Sequence, residues 1–143
     1  METTEKTKLK FANSKENVES VDQSLSVDLD PLLGLWGNTD SKSANLVKVN
    51  FKMENGKVIM QAWGDNHEES IDWGTTSCAV YTNAVDATTI EGLDAHYEFE
   101  FKTTKICGNV KLGILVLQVY NTFKDNSNRL NYFSREFYHK ISN

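Results

Sequence analysis

Val47, Val49, Phe51 and Met53 alternate with Lys48, Asn50 and Lys52. A period of two puts the apolar set on one face of an extended strand and leaves the polar set in water. Asn55-Gly56 follows at once, a dipeptide that tolerates the positive φ of a type I′ turn, so the pattern predicts a strand over 44–53 paired antiparallel with 57–63. The same logic recurs downstream. Segment 70–82 is rich in Trp, Thr, Val and Tyr, and 96–103 alternates Tyr97, Phe99 and Phe101 against Glu98, Glu100 and Lys102 as a half-buried strand should. Segments 105–111 and 113–123 form two more strands, joined around Lys111 to Gly113, and the polar run Lys124 to Asn128 precedes a last strand over 129–140. With Leu33-Gly34-Leu35-Trp36-Gly37-Asn38 as the first, about eight strands result, and segment 84–93 stays without an assigned partner.

No helix-length periodic segment separates these strands, so parallel crossovers are excluded and an antiparallel meander is expected. A sheet of this many strands removes its edges by closing on itself. The expected fold is therefore all-β: a single eight-stranded antiparallel up-and-down barrel, with a two-sheet β-sandwich as the alternative. Strand 113–123 carries Val116, Val119 and several leucines on both faces, which predicts a homo-oligomer covering its outer face.

The pattern changes at the N-terminus. Residues 1–28 are dominated by Lys, Glu, Ser, Asn and Thr and offer too little apolar surface to offset the entropy of ordering. A flexible polar tail is expected there, with the barrel domain over 29–143. Val18, Val21, Leu25 and Leu29 recur at helix-like spacing, leaving open a short helix that plugs one barrel end, and Pro31 marks the entry to the ordered domain.

Length and charge narrow the picture. The 143 residues suffice for one domain with a real core. Fifteen Lys and Arg against 20 Asp and Glu, a net charge of −5, disfavour nucleic acid and membrane surfaces as partners. The longest apolar run, Leu112 to Val119, is strand-sized and falls short of the ~20 residues of a spanning helix. Met1 through Lys10 is charged and is not followed by the apolar core of a secretory signal, so a cytoplasmic location is expected. Cys78 and Cys107 lack metal-like spacing and read as small buried hydrophobes rather than a bridge.

The first-strand motif carries a resemblance. Gly34-X-Trp36, with Arg135 near the end of the last strand, resembles the signature of calycins, the lipocalins and their relatives. That resemblance implies Trp36 as a structural end-cap with Arg135 stacked across its indole. Leu32-Leu33-Gly34-Leu35-Trp36-Gly37-Asn38, followed by Ser41 and Ser43, also resembles the first strand of avidins. It implies that Asn38 and one of the serines face a ligand. The later tryptophans of the avidin pocket have no counterpart, since all three tryptophans lie at or before Trp73; Tyr120, Phe123, Tyr132 and Phe133 stand there instead. Ala62-Trp63-Gly64 and Asp72-Trp73-Gly74 resemble small bacterial proteins with two cysteines in the intervening loop, where this chain has Asn66 and Ile71.

Candidate chemistry is sparse. Asp65, Asn66, His67, Glu68, Glu69 and Asp72 crowd one loop, but without the Asp-X-Asp-X-Asp-Gly spacing of a calcium loop; no metal site and no cofactor is expected. His67, His96 and His139 lie on different segments, and no Gly-X-Ser-X-Gly elbow or Cys–His signature accompanies them, so no catalytic residue is identified. Trp63 and Trp73, flanked by glycines, are candidates for a ligand wall. Gln118, Asn121, Asn131 and Ser134 are candidates for inward polar groups. The expected function is binding a small, partly apolar molecule in the barrel mouth, with Asn38, Trp63, Trp73, Gln118, Tyr120, Asn131 and Tyr132 as ligand-binding residues. The alternatives are an isomerase- or cyclase-like barrel enzyme acting by confinement with one acid or base, and a carbohydrate- or protein-interaction module using the outer surface.

Overall fold

A computed structural model describes residues 27–143. Its strands are β1 (Gly34–Asn38), β2 (Leu46–Glu54), β3 (Lys57–Asn66), β4 (Glu69–Tyr81), β5 (Gly92–Glu98), β6 (Lys102–Lys111), β7 (Ile114–Phe123) and β8 (Tyr132–Ser142). Each pairs antiparallel with the next, and β8 returns to pair with β1, closing a single barrel. Closure rules out the sandwich. No described helix is long and apolar enough to cross a membrane.

The local rules explain most of this. Asn55 and Gly56 both adopt positive φ (53° and 77°), and Glu54 faces Lys57 across the turn, so the first hairpin forms where the alternation and the turn dipeptide put it. Phe51, Met60, Ile106 and Leu117 are at most 1% exposed and interdigitate across the interior, which is filled by side chains along most of its length.

Segment 96–103 departs from expectation. It is a hairpin, not a strand: β5 ends at Glu98, Phe99 N donates to Lys102 O at 2.8 Å, and β6 starts at Lys102. The alternation of Tyr97, Phe99 and Phe101 reflects ring stacking through the connection, with centroids 5.9 Å apart at each step, rather than a pleat. Segment 84–93 forms the β4–β5 connection, burying Ile90 and pairing Thr89 with Asp28 before entering β5 at Gly92.

One end of the barrel, the base, is closed by the chain leading into β1. Leu29 and Leu32 are buried there, and Trp36, fully buried, donates its indole N–H to Leu32 O at 2.8 Å. The cation over the Trp36 ring is Lys140, 5.2 Å from the centroid, not Arg135. Alternation along β8 is the reason: Tyr138 points inward, so Arg135 points outward and stacks on Phe137 at 5.1 Å, two residues along the same face. Of the expected tail 1–28, residues 1–26 with Val18, Val21 and Leu25 lie outside the described residues. Asp28 is already tied in, its N donating to Thr88 O and its O accepting from Ile90 N.

Candidate functional site

The opposite end is the mouth, where the β1–β2, β3–β4, β5–β6 and β7–β8 connections gather. A cavity of ≈ 160 Å³ opens there, walled by Leu46, Gly64, Trp73, Val119 and Tyr132, with Lys102 and Asn121 as its buried polar groups and Asp65 at its edge.

Trp73 reaches this cavity by a backbone device. Gln61 pairs with Thr75 but Trp63 pairs with Asp72, so Trp73 and Gly74 together oppose Ala62 in a β-bulge, with Gly74 at φ 82°. The bulge turns Trp73 inward, edge-on to Tyr97 (5.5 Å) and Phe99 (5.1 Å). Gly64 leaves room for it: a Cβ at that position would lie 2.7 Å from the Trp73 indole nitrogen. Trp63, paired with Asp72 on the other side of the wall, faces outward beneath the Lys48 ammonium, 4.7 Å from its ring. The two Trp-Gly motifs thus serve opposite faces.

Lys102 is the residue that sequence reasoning missed. The alternation over 96–103 places it on a solvated face, yet it is 7% exposed. The β5–β6 turn resets the alternation, so Tyr97 points inward on β5 and Lys102, Thr104 and Ile106 point inward on β6. Counting back by twos from Ile106 and Val110 would have found it. Its Nζ donates to Asn121 Oδ1 at 2.9 Å, and Thr104 donates to the same oxygen at 2.8 Å. The rings of Trp73, Phe99 and Phe101 surround the ammonium at 4.8, 5.6 and 5.9 Å. Burial pulls the Lys102 pKa below the usual lysine range, and Arg129 nearby pushes the same way. No carboxylate pairs with it among the described residues.

The rim is braced by charge. Glu98 accepts from Lys124 Nζ (2.7 Å) and from Thr103 (3.1 Å) and pairs with His96 (2.8 Å); led by the Lys124 bond, these contacts hold its carboxyl down at about 2. Arg129 lies over Phe123 (4.3 Å) and Phe101 (5.2 Å) and pairs with Asp125 at 2.8 Å.

Of the residues proposed from sequence, Trp73 and Tyr132 line the cavity, joined by Asn121. Asn38 lies outside it: its Nδ2 donates to Leu46 O and its Oδ1 accepts from Asp40 N, which fixes the β1–β2 loop. Ser43 donates to Glu136 at 2.9 Å, and Ser41 is exposed. Gln118 and Tyr120 face outward, opposite Arg135 and Phe133, because Leu117 and Val119 take the inward positions of β7. Asn131 caps the rim by accepting from Phe123 N at 2.9 Å, while Ser134 shares the inward face with Tyr138.

The histidines stand apart from the cavity. His67 sits at the β3–β4 turn, His96 lies on the outer face against Glu98, and His139 faces outward opposite Ile114. Among the described residues, no three His, Cys, Asp or Glu are arranged to hold a metal ion. Cys78 points inward and is buried, which pushes its thiol up to about 12, whereas Cys107, paired with Asp94, lies on the outer face; both are free.

These features define a class: a closed eight-stranded antiparallel barrel, sealed at one end and open at the other, consistent with a calycin-like fold. No protein-family model, curated protein or solved structure matches the chain.

Proposed function

We propose that the protein is a calycin-type binding barrel that holds a small, partly apolar ligand in its mouth. The observation that carries this reading is the ≈ 160 Å³ cavity, which sets the indole of Trp73 and the side chains of Leu46 and Val119 beside the polar groups of Asn45, Asp65, Lys102, Asn121 and Tyr132. A dry cavity of about 150 Å³ accepts benzene, whereas drug-sized ligands need roughly 300 Å³ or more. The ligand is therefore of the size of one ring. None of the three histidines lines the cavity, and its two ionisable groups of opposite charge, Lys102 and Asp65, form no ion pair with each other. Native mass spectrometry of protein purified from its own cells, compared with the same sample denatured, tests the proposal. A retained small molecule is expected; a clean apo-protein that also takes up no ring-sized probe would end it.

A second reading concerns partners. On the outer face of β7 and β8, Tyr120 packs on Phe133 at 5.3 Å, and both, with Ile114 and Phe137, are 41–54% exposed. This row favours self-association, with a second copy covering the same face. Light scattering at micromolar concentration should give a multiple of the 16.2 kDa chain mass, and Phe133→Ser should return it to the monomer. A cytoplasmic location is proposed with it, supported by two cysteines on opposite faces of the wall that stay unbridged.

A further inference from the structure

The two buried polar groups of the mouth cavity, Lys102 and Asn121, have N–H donors to spare. Lys102 carries three N–H bonds, and the structure gives one of them an acceptor, Asn121 Oδ1. Aromatic faces stabilise the charge but accept no directed hydrogen bond from the remaining two at these distances. Asn121 Oδ1 takes both of that amide's observed bonds, from Lys102 and Thr104, so its NH₂ has no partner among the described residues. Since no fully buried side-chain nitrogen or oxygen is left unpaired among the described residues, that NH₂ borders open space, and Asn121 lines the cavity. The Trp73 indole N–H likewise makes no hydrogen bond among the described residues, unlike that of Trp36.

A buried ammonium without a counter-ion is costly unless something of opposite charge completes it. Asp65, the carboxylate at the cavity edge, accepts from His67 N and forms no ion pair with Lys102. Its negative charge also disfavours a second negative charge on any occupant. One cation, several unpaired donors, an apolar wall and ring-sized volume match a single class of molecule.

Resting on the binding reading above, we infer that the ligand is a monocarboxylate with an apolar body no larger than one ring. Its carboxylate lies against Lys102 and the Asn121 amide, and its body against Trp73 and Val119. A carboxylate offers about four acceptor sites, which the NH₂ and the two spare ammonium N–H bonds would share.

Benzoate and benzamide have nearly the same shape and differ in charge, so titrating the full-length protein with both isolates the inference. Benzoate is expected to bind about ten-fold tighter, as a charge-assisted contact should. Lys102→Met should bring the two within about two-fold of each other, with benzoate losing more affinity than benzamide because only benzoate loses a charge-assisted contact. In ¹³C spectra of the Lys102 side chain, benzoate should raise the pKa of the ammonium, a response that a purely structural lysine would not give. Equal affinities in the wild type, or a benzoate preference that survives Lys102→Met, would overturn the inference and leave the binding reading standing. The inference falls in the same way if neither probe binds but a neutral molecule is retained from the cell. Failure of both probes together with a clean apo-protein removes the binding reading as well.

Discussion

The two ends of the barrel are each built on a tryptophan and a lysine, arranged in opposite order. At the base, Trp36 is fully buried with its N–H satisfied by Leu32 O, while Lys140 lies half-buried above the ring and donates to Asp30 O at 3.1 Å. At the mouth, the lysine is inside and the indole borders open space. The base pairs the Trp36 N–H and buries its ring together with Leu29 and Leu32, which makes it a seal. The mouth leaves N–H groups of Lys102 and Asn121 without partners among the described residues, and the proposed binding of an acceptor rests on them. Similar side chains thus give a closed end or an open one depending on which of the pair is buried.

Truncating the two tryptophans should separate the ends most clearly. Trp36→Ala is expected to cost roughly 3–5 kcal/mol of folding stability as a large buried truncation, read by chemical denaturation. Trp73→Ala, at a half-buried site bordering a cavity, should cost about 1–2 kcal/mol and abolish ligand uptake. Equal losses would mean that the mouth is as much core as the base. The lysines come next. Lys102→Met removes a buried, unpaired charge and keeps the apolar stem, so stability should be unchanged or rise by about 1 kcal/mol. Lys140→Met should move it by less than about 0.5 kcal/mol. A large destabilisation by Lys102→Met would show that the aromatic faces already complete the ammonium.

Acid should act on the mouth first. The described carboxylates with lowered pKa, Asp72, Glu98 and Asp125, all lie on the mouth side. For Glu98 the folded value, about 2, lies below the ordinary 4.5, so its contribution is present above pH 4.5 and is lost as pH falls towards 2. Glu98 is fully exposed, so solvent screening keeps the effect small. Hydrogen exchange at pH 3 should therefore quicken in the β5–β6 and β7–β8 connections while amides around Trp36 stay protected, and Glu98→Gln should flatten that dependence. Uniform loosening of both ends would remove the distinction.

Much of the wall was legible because a pleated strand advertises its two faces directly. Val49 and Phe51 are buried as the alternation requires, and Asn55-Gly56 turns where it stands. The site was less legible because inward and outward depend on counting from the right origin. A three-residue turn after Glu98 moves Lys102 from the expected water face to the interior, and the bulge at Gly74 separates Trp73 from Trp63 although their motifs look alike. Gln118 and Asn121 look equally suited to be inward amides, but they are three apart on one strand and so lie on opposite faces.

Residues 29–143 carried in their own order the strand count, the antiparallel meander and the expectation of closure, because period-two patterning and turn dipeptides are local properties. They also carried Trp36 as a core residue at the head of the first strand. Which cation covers that ring, which of the two later tryptophans faces in, and that a lysine is buried without a counter-ion were decided by the tertiary structure alone. Each depends on register, and register is set across the barrel by bulges and turns whose single-residue shifts exchange the inside of the wall for the outside.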